Sequence, residues 1–282
     1  MRKKLLTSLF VFGILCFSTF IIAAQTATAS QIVKVQLSQP EIDRIIKTFT
    51  AKEAEFRQAL NNYSFRRNAK LQAFGGGGQV TGEYLRESLF AFDDKSNRYE
   101  KVLFAPVPTF SGVTAEDLND LGGINPFALE PSKISQYNFL FVGKEKVDAL
   151  DLYVFDVEPK IAPNAKKTKE RFFSGRVWVD VDDLLIVKTK GKGLPETKDN
   201  KFPVVETWRE NIEGKYWFPT YSYANEELQF DNGTSYRIKM LVRYTDFKEA
   251  KGILRILDDE EIVDETTQPQ PEVKLDATVK KP

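Results

Sequence analysis

From Tyr63 onward, apolar residues fall on every second position, and that period decides what the chain can fold into. Tyr63, Phe65, Arg67, Ala69, Leu71 and Ala73 point one way, while Ser64, Arg66, Asn68, Lys70 and Gln72 point the other. A period of two is a strand with one buried and one wet face. The alternation returns over residues 80–92, 98–107, 137–142, 149–157, 172–181, 184–190, 204–211, 216–224, 228–230 and 235–247. Short turns join neighbouring runs: 75–78, 93–97, 143–146, Asp182-Asp183, Glu213-Gly214, and Asp231-Asn232-Gly233, a strong hairpin signal. Runs joined so tightly pair antiparallel. The spacing predicts a mainly β (α+β) fold: one large antiparallel sheet of about ten strands, curled or closed.

One segment carries the other period. Ile42, Ile45, Ile46 and Phe49 recur at helical spacing, and Phe56 and Leu60 continue the stripe. Ser38-Gln39-Pro40-Glu41 reads as the start, with the Ser38 side chain capping, Glu41 reaching back and Pro40 in the first turn. The expectation is a helix from 38 to about 61, kinked near Thr50. A short helical lid is expected over 114–121, capped by Thr114 with Asp117 and stopped by Gly122-Gly123.

The first residues read as a signal peptide spanning 1–29. Arg2, Lys3 and Lys4 precede a nearly uncharged apolar run, and Ala27-Thr28-Ala29 is a small-x-small cleavage site before Ser30. The expected location is therefore periplasmic. An uncleaved inner-membrane anchor is the alternative, since the run is long enough to span. Cys16 follows Leu15, whereas a lipid-anchored cysteine needs a small residue before it. Residues 258–282 begin with Asp258-Asp259-Glu260-Glu261 and show no apolar period, so they read as a disordered polar tail. That leaves 30–257 for the sheet domain.

Composition removes several chemistries. The chain has no histidine, and its one cysteine lies within the signal segment. Ser-His-Asp and Cys-His nucleophiles, His-ligated metals and a disulfide framework are all excluded from the exported chain. Losing three basic residues from equal totals of 40 leaves it slightly acidic, with no footprint for nucleic acid. The chain reads as a non-enzyme without cofactor. Three aspartates, Asp180, Asp182 and Asp183, could suggest a metal. The spaced ligands, glycine and distal Glu of a calcium loop are missing, so they read as a hairpin tip, with no metal. Asn232-Gly233-Thr234 reads as a turn before a glycosylation acceptor. Gly75–Gly78 lacks the Lys-Ser/Thr of a phosphate loop. Lys188, Lys190 and Lys192 share one strand face, a solvated row or a meeting place for anionic lipid heads.

Local text adds a resemblance. Phe141-Val142-Gly143-Lys144-Glu145-Lys146-Val147 is followed by Asp151-Leu152-Tyr153-Val154 and Glu158-Pro159-Lys160. Gly175-Arg176-Val177-Trp178-Val179-Asp180 is followed by Ile186-Val187-Lys188. With the order signal, helix, three strands, short helix and long hairpins, about residues 38–250 resemble the LolA/LolB-like fold. That is the fold of periplasmic lipoprotein carriers and related outer-membrane lipoprotein-sorting proteins. The resemblance implies a strongly curved, incomplete barrel under a helical cover, with an apolar concavity for acyl chains. Its partners would be a lipid or acylated protein, and inner- or outer-membrane sorting partners. The expected lining is Trp178, Phe139, Phe141, Tyr153, Phe155, Phe90, Trp208 and Tyr221. The family's Arg-Pro latch is absent from the turn at 92–98, which puts lipoprotein hand-off itself in doubt. The alternatives are a non-catalytic envelope scaffold and a hydrolase using carboxylates such as Asp180 and Glu206.

Overall fold

The structure, a computed structural model, describes residues 31–93, 97–109, 129–168, 170–198 and 201–250. The signal segment, the helix expected over 114–121 and the tail expected over 258–282 lie outside the described residues. Helix α1 spans Gln39–Leu60. Ten strands follow: β1 (Tyr63–Phe74), β2 (Val80–Phe92), β3 (Arg98–Phe104), β4 (Tyr137–Val147), β5 (Leu150–Pro159), β6 (Phe172–Asp180), β7 (Ile186–Leu194), β8 (Val205–Ile212), β9 (Tyr216–Gln229) and β10 (Ser235–Glu249).

They form one sheet in the order β3-β2-β1-β10-β9-β8-β7-β6-β5-β4, antiparallel throughout. Two meanders, β1–β3 and β4–β10, are joined where β10 returns to pair with β1, from Tyr63↔Glu249 to Phe74↔Arg237. The free edges are β3 and β4, consecutive in the chain but not paired to each other. The sheet is thus an incomplete barrel, open at the seam between them.

Two local expectations are corrected. Ser38 makes no side-chain cap; its carbonyl accepts from the Glu41 and Ile42 amides, and the Glu41 carboxylate is taken by Arg44. The β4–β5 turn is Asp148-Ala149, not 143–146, because pairing runs on to Val147↔Leu150. Asp148 supplies the left-handed residue such a tight turn needs, at φ 52°. Gly143 instead sits at a bulge in β4 with φ 150°, where a Cβ would lie 2.4 Å from the Val33 carbonyl oxygen. Val33 forms an antiparallel bridge with Lys144 there and covers part of the β4 edge.

The alternation sorts each strand between an inner, helix-covered face and an outer face. On the inner face Ile45 and Phe49 of α1 belong to one cluster with Tyr153, Phe155, Val157, Val177 and Val179. Further along α1, Phe56, Ala59 and Leu60 join Tyr63, Phe65, Phe218, Val242 and Tyr244. One helix therefore holds both halves of the sheet. The outer face carries a smaller cluster, Leu152, Val154, Trp178 and Val187.

Candidate functional site

The inner face is not uniform. On β4 and β5 it is an aromatic wall. Phe141 packs on Phe155 with ring centroids 5.3 Å apart and on Tyr153 at 6.0 Å. Phe49 of α1 inserts between Phe139, at 6.0 Å, and Phe155, at 5.8 Å. These contacts follow from register: Phe139↔Val157 and Phe141↔Phe155 are cross-strand pairs. Phe155 is fully buried, whereas Phe139 and Phe141, on the free edge strand, are only partly so.

On β1–β3 the same face carries charge. Glu100 of β3 accepts from four donors: Arg67 Nη2 at 2.9 Å, Arg86 Nε at 2.9 Å, Arg86 Nη2 at 3.1 Å and Ser88 Oγ at 2.5 Å. Burial raises the Glu100 carboxyl, but the hydrogen bonds from Arg86 and Ser88 and the charges of Arg67 and Arg86 outweigh it and set it below the ordinary carboxylate range. Arg98 lies 4.8 Å from the Phe65 ring and 5.2 Å from the Phe90 ring, and donates to the Leu60 carbonyl at the end of α1. Burial lowers both Arg67 and Arg98 from the ordinary guanidinium value, and the Arg67 charge lowers Arg98 further. Burial also pushes up the Tyr244 phenol, against the opposing Arg67 charge.

Between these regions α1 is pinned by an ion pair. Glu53 accepts from Arg209 of β8 through two bonds, 2.5 and 3.0 Å, and both side chains are essentially buried at 1% and 2% exposure. The Arg209 guanidinium lies 4.3 Å from the Phe56 ring. A cavity of about 130 Å³ opens beside it, lined among others by Lys52, Phe56, Arg209, Lys215 and Trp217.

The eight residues expected to line one concavity divide between the two faces. Phe139, Phe141, Tyr153, Phe155 and Phe90 are on the inner face. Trp178, Trp208 and Tyr221 are on the outer one, so they share no lining with the other five. Trp178 belongs with Leu152 and Val154, and donates from Nε1 to Glu145 at 2.6 Å. Lys188 sits over both Trp178, at 4.7 Å, and Trp208, at 4.2 Å; Trp208 pairs with Tyr221, and Arg243 lies 5.9 Å from the Tyr221 ring. The result is a cross-strand row on the outer face, Trp178, Lys188, Trp208, Tyr221 and Arg243, one residue from each of β6 to β10.

The acidic tip is backbone architecture. Asp180 Oδ1 accepts from the Asp182 and Asp183 amides at 3.0 and 2.7 Å, and Leu184 takes a positive φ to close the turn. Among the described residues no group of acidic side chains is placed to hold a metal. Glu206, the other acid of the hydrolase alternative, is engaged by Lys188 at 3.2 Å, Lys190 at 3.6 Å and Trp208 Nε1 at 2.9 Å. Lys192 pairs with Glu196 at 3.0 Å, so each lysine of the β7 row has a carboxylate.

The arginine cluster and the Glu53–Arg209 pair were not singled out from sequence, although each left a trace there. Arg67 interrupts the apolar series Tyr63, Phe65, Ala69, and Glu53 falls on the helical stripe between Phe49 and Phe56. A charge at a core position is a signal that it has a buried partner.

No protein-family model matches the sequence, and no curated protein matches it. Among solved structures the chain is similar to a DUF1329 family protein from Desulfovibrio piger, at 15% identity and TM-score 0.34, over 74% of this chain and 93% of that one. It is also similar to a LolA superfamily protein from Nitrosomonas europaea, at 14% identity and TM-score 0.32, over 71% of this chain and 93% of that one.

Proposed function

We propose that this protein is a non-catalytic periplasmic carrier that holds an acyl chain or other lipid against the inner face of its sheet, under α1. The observation that carries this is the aromatic wall of Phe139, Phe141, Tyr153 and Phe155, covered by one helix, with Phe139 and Phe141 only partly buried on the open edge strand. Burying a methylene is worth about 0.8 kcal/mol, so an apolar wall under a cover suffices to hold a chain without chemistry. No helix among the described residues is long and apolar enough to cross a membrane. Carriage of an acylated protein of the outer-membrane sorting type, with membrane partners at either end, belongs to the same proposal.

The test is titration of the purified protein with a fluorescent fatty-acyl probe, with native mass spectrometry as the second readout. One saturable site is expected, weakened about tenfold or more in Phe141→Asp. Absence of any acyl binding would sink the proposal. A scaffold role is favoured by a different observation, the exposed apolar side chains Val102, Leu103 and Phe104 on edge strand β3. The same titration separates the two, since a scaffold binds no acyl probe. N-terminal sequencing of protein from a periplasmic extract checks the export step, with Ser30 expected as the first residue.

A further inference from the structure

The inner-face charges of β1–β3 do not balance. Arg67 and Arg86 converge there on one carboxylate, Glu100, and Arg98 lies beside them on the Leu60 carbonyl, so three guanidinium groups share this face with one carboxylate. Glu100 is taken by Arg67, Arg86 and Ser88, and Arg98 has no carboxylate partner among the described residues; the contacts that hold it there are two ring faces and one carbonyl. Arg67 is 2% exposed, and its Nε has no hydrogen-bond partner among the described residues. A buried guanidinium left short of acceptors is costly, and guanidinium groups match carboxylate and phosphate through paired hydrogen bonds. The cluster is also reachable: Arg86 and Glu100 keep 27% and 26% of their side-chain surface.

We infer that this arginine cluster is the head-group site of the carried ligand and takes an anionic group, carboxylate or phosphate. The inference rests on the acyl-carrier reading and narrows it to lipids with a negatively charged head. The aromatic wall and the arginines lie on one face of the sheet, on strands that flank its open seam, β4 and β5 on one side and β1–β3 on the other. Helix α1 links the two places, since Phe49 packs into the wall and the Leu60 carbonyl at the helix end accepts from Arg98, so an acyl chain lying along α1 would bring its charged end group to the arginines. Arg98 supplies the unpaired charge, Arg67 the unused donor, and Glu100 holds Arg67 and Arg86 in position.

Four probes test it on the purified protein: palmitate, hexadecyl phosphate, hexadecanol and inorganic phosphate. Palmitate and hexadecyl phosphate are expected to bind at least tenfold more tightly than hexadecanol. Arg98→Gln should abolish that preference, bringing palmitate and hexadecyl phosphate to within about twofold of hexadecanol measured on the same variant. Equal affinity for palmitate and hexadecanol, or a preference that survives Arg98→Gln, overturns the head-group site and leaves the acyl carrier standing. Arg98-dependent binding of inorganic phosphate without any acyl binding upholds the anion site and overturns the carrier. If none of the four binds, both fall. The palmitate–hexadecanol comparison needs no variant, so it decides the matter even if Arg98→Gln does not fold.

Discussion

Single residues in this protein matter most where a charge or a glycine occupies a place that ordinary packing would deny it. Removing one partner of a buried ion pair strands the other, which costs about 3–5 kcal/mol, whereas replacing both by apolar groups is often neutral. Glu53→Ala should therefore destabilise the fold by about that amount, and the double variant Glu53→Leu/Arg209→Met should recover most of it; denaturant unfolding of the two checks this. Gly143 is the second such place. Alanine there would meet the Val33 carbonyl and an unfavourable φ together. About 1–3 kcal/mol is expected, concentrated at the N-terminal bridge. Amide exchange at Val33 and Lys144 should quicken far more than exchange in the middle of β1. Of these two roles the sequence carries a trace of one, the charge of Glu53 on the apolar stripe of the helix, and none of the other. Gly143 looked like a turn residue because Gly-Lys-Glu-Lys has turn composition, and only the approach of a distant segment reveals its function.

At the scale of elements, the edge strand β3 is paired to β2 by its backbone ladder and tied further to β2 and β1 by one carboxylate. Glu100 has a folded-state pKa below its ordinary value, so it contributes stability above the unfolded value of about 4.3, and that contribution is lost as pH falls through the lower, folded value. Unfolding measured across an acid series should show stability falling below about pH 4. Glu100→Gln should be less stable at neutral pH and flatter through that window; an unchanged acid slope would show that the strap does not hold. The strands themselves were legible almost residue by residue. Tyr63–Phe74 and Val80–Phe92 announce themselves by alternation, and Asn232-Gly233 by turn chemistry, with Gly233 at φ 83°, whereas the runs 216–224 and 228–230 prove to be one strand, Tyr216–Gln229. The Ser38 cap was misread because a capping residue type fixes only the possibility of a bond, while the Glu41 side chain found a stronger partner in Arg44.

At the scale of the whole molecule, joining the two meanders into one sheet depends on the pairing that is longest in sequence. β1 meets β10 across nearly the entire described chain, Tyr63 opposite Glu249, so the ordering entropy of that loop must be overcome before the contact rewards it. Refolding followed by tryptophan fluorescence should accordingly occur over milliseconds to seconds; microsecond refolding would contradict the topology's hold on the rate.

What the sequence determined by itself is the period of each segment and the sign of its turns. From these came the sheet, its strand count, the covering helix and the reading of Asp180-x-Asp182-Asp183 as a hairpin tip. Alternation tells which residues share a face of one strand, because successive side chains must point apart. It carries no label saying which face curls inward. Only the tertiary structure decided that, by laying α1 against Val177 and Val179 and so turning Trp178 outward. The same packing brought Arg67, Arg86 and Glu100 from three strands to one place, a meeting set by register between strands and therefore absent from any local pattern.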